Sequence, residues 1–135
     1  MFVSKVSQEM FDSIISIIGN NNHTYYGKLN KEFFLYDKEL DRCYFYDYVD
    51  TIRKRIIEFN GTCFHARSED DQLFNNPFSN ITAKESYQKD FDKKRRAEQE
   101  GYSILYIWEN EYYLDKNKEI EKCISFLKGT WCDSK

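Results

Sequence analysis

The feature that most constrains the fold is an apolar run that directly follows a helix. The most apolar segment of the chain is residues 102–108, with the sequence YSILYIW. The pattern before it predicts a helix over residues 83–100, with Thr82 as the amino-terminal cap and Gly101 as the carboxyl-terminal stop. A strand that is apolar on both faces is typical of the buried interior of a sheet that carries helices.

The remaining segments predict a mixed α/β fold. Apolar positions with 3.6-residue spacing predict a helix over residues 7–18, capped by Ser7 and ended at Gly19. Residues 66–82, which contain the only proline, predict a surface loop, and an amphipathic pattern predicts a last helix over about 115–128. Three aromatic, alternating segments predict a meander of strands over residues 33–36, 43–49 and 55–59. This order favours a mixed central sheet flanked by helices on both faces.

Length and composition define a single folded domain. The 135 residues are enough for one compact domain and too few for two, so we expect one domain over residues 1–135. The chain lacks an apolar run of the roughly 20 residues that span a bilayer and also lacks a signal-peptide pattern, so we expect a cytoplasmic protein with no membrane partner. Without a C-x-x-C pair, the four cysteines are expected to be free thiols that mostly fill the core: Cys43, Cys63, Cys123 and Cys132.

The charge distribution leaves two interpretations open. A net charge of −3 is unusual for a nucleic-acid-binding protein, because phosphate contacts favour a basic surface. Basic residues are nevertheless clustered at 53–55 and 93–96, with Lys84 and Lys89 nearby. The second cluster fits either a phosphate-binding surface or the solvated face of a helix.

Two acids lie inside predicted strands. Asp47 interrupts an aromatic segment, and Glu58 lies within the apolar sequence IIEF. A carboxylate in an apolar strand is unfavourable unless it is paired or binds a cation. Mg²⁺ takes oxygen ligands from one or two carboxylates together with water and phosphate, so the pair suggests a metal site for phosphodiester chemistry. The alternative is that both acids lie on the solvent face of a half-buried sheet.

A histidine and an aspartate suggest proton transfer. His65 follows Glu58 by seven residues, and near a metal its imidazole could serve as a general base. Asp90 shares a helical stripe with Ala83, Tyr87 and Ala97, which predicts that it faces the sheet and accepts a hydrogen bond from His65. The alternatives are a structural histidine and an aspartate paired with the neighbouring lysines 93 or 94.

Glu9 and Lys84 are weaker candidates. Glu9 lies in the first turn of the first predicted helix, where the helix dipole alone favours a negative charge. Lys84 lies in the first turn of the second long helix, where a cation is unfavourable, and this favours a phosphate-facing role.

Together these residues resemble the very-short-patch repair endonuclease fold and, more closely, the phage-type homing endonucleases related to it by a Glu…Asp…x…His…Asp active-site pattern. The resemblance covers nearly the whole chain and depends on residues 7–9, 46–48, 56–61, 64–65, 82–85, 90, 101–102 and 107–109.

The resemblance implies a restriction-endonuclease-like fold of the PD-(D/E)xK type, with Mg²⁺ at Asp47, or Mn²⁺ in its place. It also implies hydrolysis of a phosphodiester bond by an activated water. Glu58 fits the second acid of the related Asp…Glu-x-Lys nucleases, whereas Asn60 stands where their lysine would be, so Lys84 becomes a candidate for the charge-stabilising role. The resemblance also assigns the five positions of the family's active-site pattern. In order along the chain they are Glu9, Asp47, the variable position at Asn60 or Phe59, His65 and Asp90.

The function predicted from these residues is a homing-type, metal-dependent endonuclease that acts on double-stranded DNA in the host cytoplasm. DNA contacts are assigned to Asn60, Lys84, Lys93 and Lys94. The alternatives are a mismatch-directed nicking repair endonuclease and a non-catalytic DNA-binding module of the same fold. The residues after His65 lack the histidine-rich run and cysteine of the mismatch-repair zinc site, which argues against zinc. A long recognition site needs more surface than this acidic domain offers, so we expect a homodimer or a further DNA-binding region.

Overall fold

The fold is built around a four-stranded mixed sheet with helices on both faces. The computed structural model describes residues 4–19, 23–27 and 33–129. Its elements are α1 (Lys5–Ile18), β1 (Thr24–Tyr26), β2 (Phe33–Asp37), β3 (Arg42–Tyr46), β4 (Tyr48–Asp50), β5 (Arg55–Asn60), α2 (Ala83–Gln99), β6 (Ser103–Trp108), α3 (Glu109–Leu114) and α4 (Lys116–Leu127). The main sheet has the order β1-β4-β5-β6, and β2 and β3 form a separate antiparallel hairpin. Strands β5 and β6 are parallel, whereas the other pairs of the main sheet are antiparallel.

Alternation along β5 separates the two sides of the sheet. Ile57 and Phe59 pack into a core with α1 and α4, and Ile56 packs into a second core with Ala97 of α2. Because successive side chains of a strand point to opposite faces, Glu58 shares the α2 side with Ile56. The prediction of an α/β fold with a mixed sheet flanked by helices is therefore confirmed.

Helix α2 has the ends that the sequence predicts. The Thr82 hydroxyl accepts a hydrogen bond from the Glu85 amide at 3.1 Å, and the Glu85 carboxylate accepts one from the Thr82 amide at 2.9 Å. Gly101 has φ +88°, a left-handed conformation that glycine adopts without strain, just beyond the helix. These ends fix where the helix starts and where the chain turns into β6.

The cap gives a stability prediction. Thr82→Ala should lower the free energy of unfolding by about 1 kcal/mol, because it removes a side-chain acceptor for an otherwise unpaired amide. For a domain of this size the melting temperature should then fall by roughly 3 °C. Thermal denaturation followed by circular dichroism measures the shift. Lys84→Ala in the same turn is the control, and its melting temperature should stay close to that of the wild-type protein. An unchanged melting temperature for Thr82→Ala would refute the role of the cap.

The predicted meander is wrong in its connectivity. The segment predicted as one strand over 43–49 is interrupted at Asp47, so that its first part pairs with β2 and its last part pairs with β5. The chain therefore passes from the small hairpin to the main sheet at this aspartate. The aromatic alternation runs without a break through both parts, which is why it indicated a single strand.

Other boundaries also differ. Ser7 is not the cap of the first helix, because the Ser4 hydroxyl accepts the hydrogen bond from the Ser7 amide at 3.1 Å and the helix begins at Lys5. The short elements β1 and α3 were not predicted, and Asp115 caps α4. Residues 66–82 contain neither helix nor strand, as predicted.

The cysteine prediction holds only in part. Cys123 is a buried free thiol in the core, whereas Cys43 is exposed and Cys63 is half-buried, so these two do not fill the core. Cys132 lies outside the described residues. Within the described part of the chain, no helix has the length and apolar character needed to cross a membrane.

Candidate active site

Two acids meet where the small hairpin joins the main sheet. The backbone amide of Asp47 donates a hydrogen bond to Glu58 Oε2 at 2.9 Å. In return, Asp47 Oδ2 accepts one from the amide of Phe59 at 2.9 Å. This reciprocal pair holds the two carboxylates side by side, Asp47 half-buried and Glu58 only 3% exposed.

A lysine from α2 completes this cluster. The Lys93 ammonium forms an ion pair with Glu58 Oε1 and lies 5.0 Å from the centre of the Tyr46 ring. The Tyr46 hydroxyl donates a hydrogen bond to the Lys93 carbonyl at 2.7 Å, which ties the helix to β3. Asp47, Glu58 and Lys93 are called the carboxylate–lysine cluster below.

The electrostatics of the cluster favour an added cation. Burial raises the pKa of Asp47 well above its ordinary value, and the negative charge of Glu58 raises it further, while Lys93 opposes the shift. Burial alone would lower the pKa of Lys93, but Glu58 and Asp47 outweigh it and the pKa is raised. Lys93 therefore stays charged, and a further positive charge beside Asp47 would favour its ionised form.

A histidine–aspartate pair lies next to the cluster. His65 Nδ1 is 2.9 Å from Asp90 Oδ2, which confirms the contact predicted between them. The amides of Phe64 and His65 both donate to the Gly61 carbonyl, at 3.1 and 3.2 Å, so a tight turn after β5 brings the histidine back toward α2. A carboxylate at Nδ1 favours the tautomer with the proton on that nitrogen, and leaves Nε2 able to accept one.

These groups meet at one open cleft of about 260 Å³, which is the candidate active site and is called the catalytic cleft below. It is lined by the side chains of Asp47, Glu58, Asn60, His65 and Lys93, together with Ser4, Ser7 and Glu109. The fold thus brings together the strand acids, the histidine and the asparagine that the sequence singled out. Asp90 stands behind His65 as its partner.

Two candidates lie elsewhere. The Glu9 carboxylate accepts hydrogen bonds from the Tyr112 hydroxyl at 2.7 Å and from Lys116 at 3.0 Å, and these contacts lower its pKa. It is not among the residues that line the catalytic cleft. Lys84 is 78% exposed and lies 4.0 Å from Glu69, so a phosphate-facing role for it stays a prediction.

The ion pair of Lys93 with Glu58 was not predicted, because the sequence assigned Lys93 to a DNA contact, with pairing to Asp90 as the alternative. The inward stripe of α2 runs through Ser86, Asp90, Lys93 and Ala97, rather than through Tyr87, which is 39% exposed. Because residues three apart share a helical face, the position of Asp90 could have pointed to Lys93. The basic residues around it indicated either a phosphate-binding surface or a solvated helix face.

The two carboxylates are compatible with a hard divalent cation whose remaining ligands are not protein side chains. Among the described residues, no group of three or more His, Cys, Asp or Glu side chains is arranged to hold a metal ion by itself. Mg²⁺ needs fewer, since it is commonly bound through one or two carboxylates with water and phosphate completing its shell. Asp47 and Glu58 are two adjacent carboxylates at an open cleft, and this matches that requirement.

The fold and cleft together define an α/β protein with paired carboxylates, a lysine and a histidine–aspartate pair at one end of a mixed sheet. The chain matches no protein-family model, no curated protein and no solved structure. The functional assignment therefore depends on the geometry of the cleft.

Proposed function

We propose that the protein is a metal-dependent DNA endonuclease of the homing type, with a restriction-endonuclease-like core, that hydrolyses phosphodiester bonds. The observation that carries the proposal is the joining of the carboxylate–lysine cluster to the His65–Asp90 pair in a single open cleft. Phosphodiester hydrolysis needs charge stabilisation at the phosphate, a proton acceptor for water and access for a polymer, and the cleft offers all three.

In this proposal, Asp47 and Glu58 hold a Mg²⁺ ion, or Mn²⁺ in its place. When bound, such an ion supplies Lewis-acid stabilisation of the phosphate and a more acidic water. The protein's part is to keep both carboxylates fixed: each accepts a hydrogen bond from a backbone amide of the other strand segment, at 2.9 Å. Rigid acids of this kind favour one position of the phosphate.

His65 serves as the general base. With its Nδ1 proton donated to Asp90, Nε2 accepts a proton from the attacking water, whose oxygen bonds to phosphorus. One P–O ester bond breaks at the same time, and the leaving oxygen takes a proton from solvent water and departs as the hydroxyl end of the cut strand. Asp90 orients the ring and stabilises the imidazolium that forms. Asp90 is thus a positioning residue.

Lys93 takes the charge-stabilising role of the lysine that the related nucleases carry at the position of Asn60. Its ammonium stays protonated beside Glu58 and lines the catalytic cleft, where a phosphate would enter. The exposed position of Lys84, next to Glu69, favours it less for this role. The charge that stabilises the reaction therefore comes from α2 instead of from β5.

Double-stranded DNA is the proposed partner. Lys94 and Arg67 lie close to the catalytic residues and offer positive charge for the DNA backbone. Because the domain carries a net charge of −3, the proposal includes either a homodimer or a further DNA-binding region for a long recognition site.

A plasmid assay tests the activity. Supercoiled DNA incubated with the protein should be converted to nicked or linear DNA in the presence of Mg²⁺ or Mn²⁺, and should stay supercoiled in EDTA. Salt-sensitive DNA binding without cleavage under any of these conditions would indicate the non-catalytic module. Faster cleavage of a G·T-containing duplex than of its matched form would indicate the mismatch-directed enzyme.

His65→Ala should lower the cleavage rate by about 10²- to 10⁴-fold, the range for loss of a general base. Initial nicking rates at fixed Mg²⁺ measure the effect, and His23→Ala, the only other histidine, is the matched control. Equal loss in both variants, or undiminished nicking by His65→Ala, would count against the assigned role. Glu9→Gln in the same assay tests whether Glu9 contributes at all.

A further inference from the structure

A second cleft lies on the α2 side of the sheet, with a volume of about 310 Å³. Its walls are four aromatic rings, and it is called the aromatic cleft below. Tyr106 and Trp108 come from β6 and are half-buried, while Tyr87 and Phe91 come from α2 and are 39% and 52% exposed. Tyr87 and Phe91 are four residues apart and therefore neighbours on one helical face.

The aromatic cleft adjoins the catalytic cleft. Asn60 lines both of them. Asp90 lines the aromatic cleft, and its carboxylate lies 2.9 Å from His65 of the catalytic cleft. A ligand in the aromatic cleft would therefore lie next to a phosphate held at the carboxylates.

Asn60, which lies between the two clefts, has a side chain suited to binding a ligand. The residue as a whole is only 5% exposed, and its side-chain amide forms no hydrogen bond with any described residue, although neither of its polar atoms is fully enclosed. An amide has two donors and an acceptor, so these groups are free to hydrogen-bond a ligand in either cleft. Since its side chain lines the two clefts, a polar ligand placed there would satisfy it.

The charges around the aromatic cleft favour a ligand with an uncharged ring and a negatively charged backbone. Lys94 lines the cleft and forms no ion pair with the described residues. Arg67 lies over the Trp108 ring at 4.6 Å and also pairs with Glu111 at 3.2 Å. The acids Asp90 and Glu98 also line it, which disfavours an anion inside the cleft but not an uncharged aromatic ring.

We propose that the aromatic cleft binds one unstacked nucleobase of a DNA strand, beside the phosphate that is cut. Aromatic side chains stack on any base, and the Asn60 amide can hydrogen-bond its polar edge. The volume lies at the lower end of small-ligand pockets, which start at about 300 Å³. Lys94 would contact the adjoining phosphate.

This inference rests on the proposed nuclease function and specifies its substrate class. A base inside a duplex cannot reach a cleft, so it must leave the stack, which is easiest where it is unpaired. The preferred substrate is therefore DNA with an unpaired nucleotide, such as a single-nucleotide bulge, at the cleavage position.

Binding in EDTA tests the cleft without cleavage. Fluorescence anisotropy compares two labelled duplexes that differ only by one unpaired nucleotide in a bulge. The wild-type protein should bind the bulged duplex about tenfold more tightly, within the range for base–aromatic stacking. Phe91→Ala and, separately, Tyr87→Ala should remove most of this preference. Tyr113→Ala is the control, since that ring is 59% exposed on α3 and does not line the cleft.

Three results would overturn the inference. The first is equal affinity of the wild-type protein for both duplexes. The second is an unchanged preference for the bulged duplex in folded Phe91→Ala and Tyr87→Ala. The third is displacement of bulged DNA by a free nucleoside monophosphate at a concentration similar to that of the DNA. The last would indicate a nucleotide site rather than a site for a base within a strand. A preference for bulged DNA in a protein that cleaves no DNA would support the cleft and reject the nuclease proposal, so the two failures are distinguishable.

Discussion

Replacing Asp47 with asparagine should lower the rate of Mg²⁺-dependent DNA cleavage by about 10³-fold or more, while making the metal-free protein more stable to heat. A bound metal contributes several kcal/mol of transition-state stabilisation, and each 1.36 kcal/mol is about tenfold in rate. Asparagine keeps the side-chain shape and the acceptor for the Phe59 amide, so the fold should survive.

The gain in stability has a defined pH dependence. Burial and the charge of Glu58 raise the pKa of Asp47 above its ordinary value of 3.8, so the folded protein holds the proton more tightly than the unfolded chain. The stabilising contribution of protonated Asp47 is therefore complete below about pH 3.8 and is lost as the pH rises through the raised pKa. The higher melting temperature of Asp47→Asn relative to the wild-type protein should therefore appear at neutral pH and disappear as the pH is lowered.

Melting curves in EDTA at several pH values measure the stability, and plasmid nicking measures the activity. Asp70→Asn, in the exposed loop, is the matched control and should change neither quantity. A lower melting temperature for Asp47→Asn at neutral pH would contradict the electrostatic account of the cluster.

Replacing Lys93 with methionine should lower the free energy of unfolding by about 3 kcal/mol. The ion pair with Glu58 is largely buried, and removing one partner leaves an uncompensated charge at an almost fully buried carboxylate. Cleavage should fall as well, because the same ammonium is assigned to charge stabilisation.

A double variant separates the charge effect from packing. Glu58→Gln combined with Lys93→Met removes both charges and should recover most of the lost stability, whereas cleavage should stay low. Urea denaturation measures these free energies. Lys94→Met is the control for stability, since Lys94 itself forms no ion pair with the described residues and the free energy of unfolding should change by no more than about 0.5 kcal/mol. Full stability of the single Lys93→Met variant would show that the pair is not structurally important.

The layers of the fold were predictable because they follow from local patterns. The Thr82 cap and Gly101 define α2, and the apolar run after them defines β6. The mixed sheet flanked by helices follows from this order of elements. The break at Asp47 was not predictable, because aromatic alternation continues on both sides of it and only pairing with two different sheets separates the strands.

The candidate site was predictable where a charged residue conflicts with its local surroundings. Asp47 and Glu58 stand out because carboxylates are unfavourable in apolar strands, and both lie at the cleft. Lys93 was predicted as a DNA contact, but its ion pair with Glu58 was not, because a lysine among lysines and arginines is typical of a phosphate-binding or solvated helix face. Its inward position depends on how α2 is rotated against β5, which is a tertiary property.

The central claim is that DNA cleavage depends on a metal held at the Asp47–Glu58 pair. The most direct measurement is plasmid nicking by the wild-type protein and by Asp47→Asn, in parallel, across a Mg²⁺ series that begins in EDTA. The account predicts nicking by the wild-type protein that rises with Mg²⁺ and almost none by the variant at any concentration. Equal nicking by the two proteins, or wild-type nicking that is undiminished in EDTA, would contradict it.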